Sequence, residues 1–324
     1  MKKLLCVILA LTMVLAMAAC GNKTEDAATT EADHQYDGKI GLSIAGMTMP
    51  YYVRMYEGFL EAAKENNYEV VFADGGADAE STVKAVEDLI ISGIDALAVS
   101  TNYSEALVDS FARCEEQGIP VFYIGNLDLI PEAREHMTFW EGTKNESAGY
   151  LGGEWVAKYL DGLNYKKELN VVEVSMVHET LHQRYTGFVS GLEANGYTVN
   201  YINTVGDLTR ENSLAGCEDM LTAHDDIDIF FGTAGTSALG AYDATQNAGR
   251  TEVMVVGFDG EDEELDHIKE GGNYIATICQ QPALESRVTV EAIKTVLNGG
   301  TVEGGHETPA IVFGTGVGYV EAEK

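Results

Sequence analysis

The run Ile40–Ala63, IGLSIAGMTMPYYVRMYEGFLEAA, decides how the chain is read. Ile40–Ala45 is short and apolar, the pattern of a buried strand. Gly46–Met49 breaks it, and Pro50 suits the first turn of a helix, where its missing N–H costs nothing. Tyr52, Met55, Tyr56, Phe59, Leu60 and Ala63 then recur at three- and four-residue spacing, which predicts a helix with one apolar face. Tyr51 and Tyr52 fall where strand passes into helix. In open α/β sheets, ligands bind at such carboxyl ends of strands. The plainer reading makes them core residues at a helix start.

The unit recurs. Tyr56-Glu-Gly58-Phe59 followed by Tyr68-Glu-Val70 is echoed by Tyr185-Thr-Gly187-Phe188 followed by Tyr197-Thr-Val199, each matched pair 129 positions apart. A domain-sized repeat predicts two similar lobes. Between and beyond these marks, strands and helices alternate. Strands are expected at Glu69–Ala73, Ile94–Val99, Pro120–Ile124, Glu168–Val177, Thr198–Ile202, Ile227–Phe231, Val253–Phe258, Asn273–Cys279 and near Ala310–Phe313. Helices are expected at Glu80–Ile91, Ser104–Gln117, Asn145–Leu160, Thr180–Ala194, Glu211–Ala223, Ser237–Ala248 and Leu284–Asn298, with a further one opened by the acidic run Glu261–Glu264. Such alternation indicates right-handed βαβ units and parallel sheets, an α/β fold.

The chain has 324 residues, room for two domains. Met1-Lys2-Lys3, an apolar run over Leu4–Ala19 and Cys20-Gly21 read as a secretory signal. Met17-Ala18-Ala19-Cys20 resembles the bacterial lipobox, which implies cleavage before Cys20 and a lipid on its thiol; an ordinary signal peptide is the alternative. Residues 22–38, rich in Ala, Thr and acids, suit a flexible tether. The formal charge is −32, and loss of residues 1–19 would remove Lys2 and Lys3 and make it more acidic. So acidic a surface repels nucleic acid. Cys114, Cys217 and Cys279 lack the paired spacing of a disulfide framework or zinc site and read as small buried residues.

His178-Glu-Thr-Leu-His182 matches the zinc-protease pattern H-E-x-x-H. That chemistry needs both histidines on one helical face plus a third ligand. Here His178 follows a strand directly, and no third ligand stands at the required spacing, so no metal is expected. Arg184, early on the repeated helix, can aim a fork of donors at hydroxyls or a carboxylate. Asp259 ends the apolar strand Val253–Phe258 and can accept two hydrogen bonds from vicinal hydroxyls. Its plainer role is a helix cap. Gln280 ends the strand before it and both donates and accepts. Gly314-Thr-Gly316-Val-Gly318 lacks the spacing of a dinucleotide loop, no Walker lysine is present, and Ser237 has the wrong spacing for a nucleophile elbow.

Lys39–Asn126, Thr180–Gly196, Phe230–Ala248, Val253–Gly260 and Ala276–Pro282 together resemble the sugar-binding proteins of bacterial ABC importers, of the ribose, galactose and glucose type. Val255-Val-Gly-Phe-Asp-Gly260 and Ala276-Thr-Ile-Cys-Gln-Gln-Pro282 carry the resemblance most specifically. It implies two doubly wound lobes joined by three crossovers: residues 39–141 with 281–310, and residues 142–280 with 311–324. It implies no enzyme activity and no cofactor, and a monomer that closes over one ligand and docks on a membrane permease. Tyr51, Tyr52, Asn126, His178, Arg184, Asp259 and Gln280 are then the expected ligand residues. Met49, Gly125, Ala234 and Gly235 depart from the pattern, where polar residues are usual, and leave room for a larger, less polar or modified ligand. A signalling furanose, a nucleoside or a purine is the alternative solute, and a sensor role the alternative to transport.

Overall fold

The computed structural model describes residues 35–321 other than Ala77, Asp128 and Val317. The expected signal segment, Cys20 and most of the tether lie outside the described residues. From Tyr36 onward the described chain forms one compact unit.

The first stretch runs β1 (Gly38–Ile44), α1 (Pro50–Glu65), β2 (Tyr68–Asp74), α2 (Ala79–Ile91), β3 (Ala96–Ser100), α3 (Val108–Gln117), β4 (Val121–Asn126), the single turn α4 (Pro131–Arg134) and β5 (Phe139–Thr143). The second runs α5 (Asn145–Gly162), β6 (Glu168–Val174), α6 (Glu179–Ala194), β7 (Thr198–Val205), α7 (Arg210–Ala223), β8 (Ile229–Gly232), α8 (Gly235–Ala248), β9 (Met254–Phe258), α9 (Asp262–Glu270) and β10 (Tyr274–Cys279). The chain closes with α10 (Pro282–Leu297), β11 (His306–Glu307), β12 (Ile311–Gly314) and β13 (Gly318–Glu321).

These strands make two sheets, ordered β11-β5-β4-β3-β1-β2 and β13-β12-β10-β9-β8-β6-β7. The first is parallel throughout; in the second, β12 and β13 are the antiparallel strands. The chain passes between sheets three times, at Thr143–Asn145, Cys279–Pro282 and Glu307–Ile311.

Each sheet is covered on both faces because its side chains alternate. In the first, Ile40, Leu42, Phe122 and Ile124 pack under α1 and α10, while Leu97, Val99, Val121 and Tyr123 pack under α2 and α3. In the second, Leu169, Val171, Phe231 and Val256 face α5 and α6, and Val172, Val174, Phe230 and Val255 face the opposite way.

The repeat has a packing cause. α1 and α6 are each 16 residues long, in the 129-residue register. Gly58 on α1 meets α10, where an added Cβ would lie 2.7 Å from the Ala283 Cα. The equivalent Gly187 on α6 meets α5, where an added Cβ would overlap the Glu146 carbonyl oxygen. The α5–α6 seam is glycine on both sides: Cβ atoms at Gly149, Gly153 and Gly191 would overlap the carbonyl oxygens of Arg184, Phe188 and Tyr150.

Among the differences from the sequence expectation, three have a clear physical cause. β5 was not foreseen, because Glu141 and Gly142 interrupt its apolar pattern; Glu141 is nonetheless fully buried. β6 stops at Val174 rather than Val177, since Ser175–His178 turns out to form a lip, with Val177 93% exposed. Tyr56 and Leu60 on α1 are only half-buried, while Gly58 and Ala62 are buried, because α10 covers a second side of that helix.

Candidate functional site

The carboxyl ends of both sheets face a cleft of about 290 Å³, lined from both sides. On the first sheet's side, β1 gives way to Gly46–Met49, and Pro50 starts α1. This sets Tyr51 and Tyr52, both under a tenth exposed, at the cleft wall with rings 5.2 Å apart and 68° inclined. Tyr51 donates from its hydroxyl to Glu285 Oε2 at 3.0 Å. Gly125 is needed beside it: its φ is +96°, and a Cβ there would lie 2.8 Å from the Tyr51 hydroxyl. Burial pushes the Tyr52 hydroxyl up to about 12, so it remains a donor at any physiological pH.

On the other side Arg184 organises the wall. Its guanidinium lies 4.0 Å from the centre of the Phe258 ring. Nε donates to Asn145 Oδ1 at 2.8 Å, Nη1 to the Thr233 carbonyl at 2.7 Å and to Asp259 Oδ1 at 3.4 Å, and Nη2 to Gln280 Oε1 at 3.1 Å. One planar fork therefore fixes four acceptors from four places in the fold: the start of α5, the corner between β8 and α8, the turn after β9 and the end of β10. Asp259 is fixed from further sides. Its N–H donates to the Ile278 carbonyl at 2.8 Å, its Oδ2 accepts from the Gly235 N–H at 3.3 Å, and its carbonyl accepts from Arg54 Nη2 at 3.0 Å. It adopts φ of +92°, which a non-glycine residue takes only when its surroundings impose it.

Of the residues singled out in the sequence, Tyr51, Tyr52, His178, Arg184, Asp259 and Gln280 all line this one cleft. His178 sits exposed at its edge, as the residue before α6, with an extended φ of −149°. His182 turns the other way, Nδ1 lying 3.0 Å from Glu173 Oε2, so the two histidines of H-E-x-x-H do not converge. Asn126 ends β4, and its side chain lies outside the described residues. Sequence reasoning missed Asn145, Ser100, Thr101 and Asn102 as lining residues. The last three are the final residue of β3 and the two after it, a placement that could have flagged them. Asn145 had no such signal, since it is simply the first residue after a crossover.

The crossovers carry their own polar cluster beneath the cleft. Thr143 Oγ1 donates to Glu285 Oε1 at 3.0 Å and to the Thr308 carbonyl at 3.2 Å, and Thr308 Oγ1 donates to Glu141 Oε2 at 2.9 Å. Glu141 and Glu285 are fully buried, and desolvation pushes both carboxyls well above the usual carboxylate range.

Residues 40–301 match the periplasmic binding protein domain. The chain belongs to the periplasmic binding protein family. This periplasmic binding protein is 28% identical over 304 residues to the ribose import binding protein RbsB of Bacillus subtilis, covering 94% of this chain and 96% of that one. It is 27% identical over 278 residues to RbsB of Escherichia coli, covering 85% and 90%. Its fold matches a solute binding protein of an Actinobacillus succinogenes ABC transporter, crystallised with D-allose, at a TM-score of 0.77 and 24% identity over 85% of this chain and 96% of the other. Members of the family bind solutes outside the cytoplasm and are not enzymes. Among the described residues no helix is long and apolar enough to cross a membrane.

Proposed function

We propose that the cleft binds a monosaccharide or related polyol and that the loaded protein delivers it to the permease of an ABC importer. The observation that carries this is the Arg184 fork with Asn145, Asp259 and Gln280, set opposite Tyr51 and Tyr52. Polar groups held in fixed orientations bind hydroxyls without losing rotamer entropy, and aromatic faces cover the C–H face of a ring. The ribose import relatives and the D-allose-bound neighbour support the same solute class.

In this reading Arg184, Asp259, Gln280, His178 and Asn126 bind hydroxyls, and Tyr51 and Tyr52 cover the ring. The protein works as a monomer, and Cys20 carries a lipid that tethers it to the outer face of the cell membrane. Ligand contacts to both lobes would shift the population toward the closed form.

Thermal unfolding of the chain from Tyr36 onward against D-ribose, D-allose, xylitol, myo-inositol, nucleosides and purines tests the reading. A ligand at a hundredfold excess over its Kd adds roughly 2.7 kcal/mol of stability. The expected result is a shift with a sugar or polyol that is lost in Arg184→Ala and Asp259→Ala. A shift with nucleosides or purines alone overturns it.

A further inference from the structure

The cleft wall is not polar throughout. Arg184, Asp259, Gln280 and Asn145 make one polar side. The corner where β8 passes into α8 is different, because its hydroxyls and the main-chain groups of Thr233 and Ala234 are already engaged within the protein. Thr233 donates its N–H to the Val174 carbonyl at 3.1 Å, and its own carbonyl accepts from Arg184 Nη1 at 2.7 Å. Thr233 Oγ1 donates to Ser175 Oγ at 2.6 Å, and Ser175 Oγ donates to the Met176 carbonyl at 2.9 Å. The Ala234 N–H donates to Ser237 Oγ at 3.1 Å, and the Ala234 carbonyl accepts from Ser237 Oγ at 2.8 Å and from the Ala238 N–H at 3.0 Å. The Gly235 N–H goes to Asp259 Oδ2 at 3.3 Å, and the Leu208 carbonyl accepts from Thr236 Oγ1 at 2.7 Å.

What this corner presents to the cleft is largely carbon and sulfur: the Ala234 methyl and the side chains of Leu208 and Met176, with Leu181 and Thr180 also in the lining. Ala234 is 3% exposed and Met176 40%, so this apolar wall runs from a buried floor to an exposed rim. A ligand hydroxyl placed against it would leave water and meet no free side-chain hydroxyl, which is unfavourable; a methyl or methylene would gain contact there.

We propose that this corner is an apolar subsite and that the solute is a deoxy or methyl-bearing sugar or polyol, its bare carbon against Ala234 and Leu208 and its hydroxyls toward Arg184, Asp259 and Gln280. The inference rests on the sugar reading above and deepens it. An apolar pocket disfavours an added hydroxyl by about tenfold to a hundredfold, which sets the size of the effect.

Calorimetric titration of matched pairs tests it: 2-deoxy-D-ribose with D-ribose, L-fucose with L-galactose, L-rhamnose with L-mannose, and 6-deoxy-D-allose with D-allose. The expected result is one deoxy member binding at least tenfold more tightly than its hydroxylated parent. Ala234→Asn, which sets an amide at the corner, should cut that ratio to near one, and Leu208→Gln should lower it independently should the first variant fold poorly. Parents that bind as tightly as their deoxy partners, or more so, overturn the subsite and leave the sugar reading standing. A deoxy preference that neither variant changes overturns the assignment to this corner. No binding by any member of any pair overturns both the subsite and the sugar reading.

Discussion

Arg54 on α1 reaches across from the first lobe and donates a hydrogen bond of 3.0 Å to the main-chain carbonyl of Asp259 in the second. Asp259 holds φ of +92°, and this bond is one of the restraints that keep it there. Replacing Arg54 by Ala should free the turn and weaken sugar binding by about 1.5–3 kcal/mol, the usual worth of a hydrogen bond with one charged partner. Calorimetry on Arg54→Ala checks this, and an unchanged affinity would remove Arg54 from the support of the site.

Gly149 and Gly187 should be intolerant of even one methyl group. Each added Cβ would overlap a carbonyl oxygen across the α5–α6 seam, so the helices must separate. Gly149→Ala is expected to cost about 1–3 kcal/mol of stability, the range for overpacking. Because Arg184 Nε bonds Asn145 across that seam, ligand affinity should fall with it. Gly162, with nothing near its Cβ, is the control expected to tolerate alanine. Urea midpoints of the three variants decide the matter.

Stability should fall as pH rises above the carboxyl range. Burial pushes Glu264 up to about 8 and Glu261 up to about 7, and it raises Glu141 and Glu285 as well. A folded state that keeps protons the unfolded chain releases is fully favoured below the unfolded carboxyl pKa, near 4.3. That advantage is lost as pH climbs through the folded values. The melting temperature should therefore drop between about pH 5 and 9. Glu141→Gln should flatten the slope, since an amide keeps an acceptor for Thr308 and cannot ionise. A melting temperature that rises over the same interval would contradict the account.

The three thiols within the described chain should resist labelling in the native state. Cys114, Cys217 and Cys279 are buried and unpaired, and burial raises each thiol, Cys114 to about 11 and Cys279 to about 12. Little thiolate forms at neutral pH, and the thiolate is the reactive species. Cys279 packs against Gly260, next to Asp259, so its labelling rate reports opening of the site. Saturating ligand should slow that rate while leaving Cys217 unchanged, as a thiol-reactive dye would show.

The lobe repeat was legible because its cause is local. Tyr-x-Gly-Phe marks a helix whose glycine must meet a second helix, and the same demand arises at Gly58 and Gly187. Strands such as β3 and β8, buried on both faces, announced themselves as apolar runs. β5 did not, because its buried Glu141 is stabilised by Thr308 from 167 residues away. Among site residues, Tyr51, Arg184, Asp259 and Gln280 stood at strand or helix ends where βαβ geometry concentrates function. Asn145 was invisible, since its role comes from the Arg184 Nε that lies 39 positions along the chain. The internal satisfaction of the Ala234 corner was likewise beyond sequence, for it is a property of partners and not of residue types.

The glycine seam has a mechanical consequence. α5 begins at Asn145, directly after the first crossover, and its backbone touches that of α6 without intervening side chains. Two helices in such contact have little freedom to slide, so they turn as one lever. Arg184 on α6 and Asn145 at the start of α5 are thus held at a fixed separation by backbone contact rather than by their own side chains. The spacing of the polar wall is therefore set by glycine, and one methyl group in the seam would change the reach of the guanidinium.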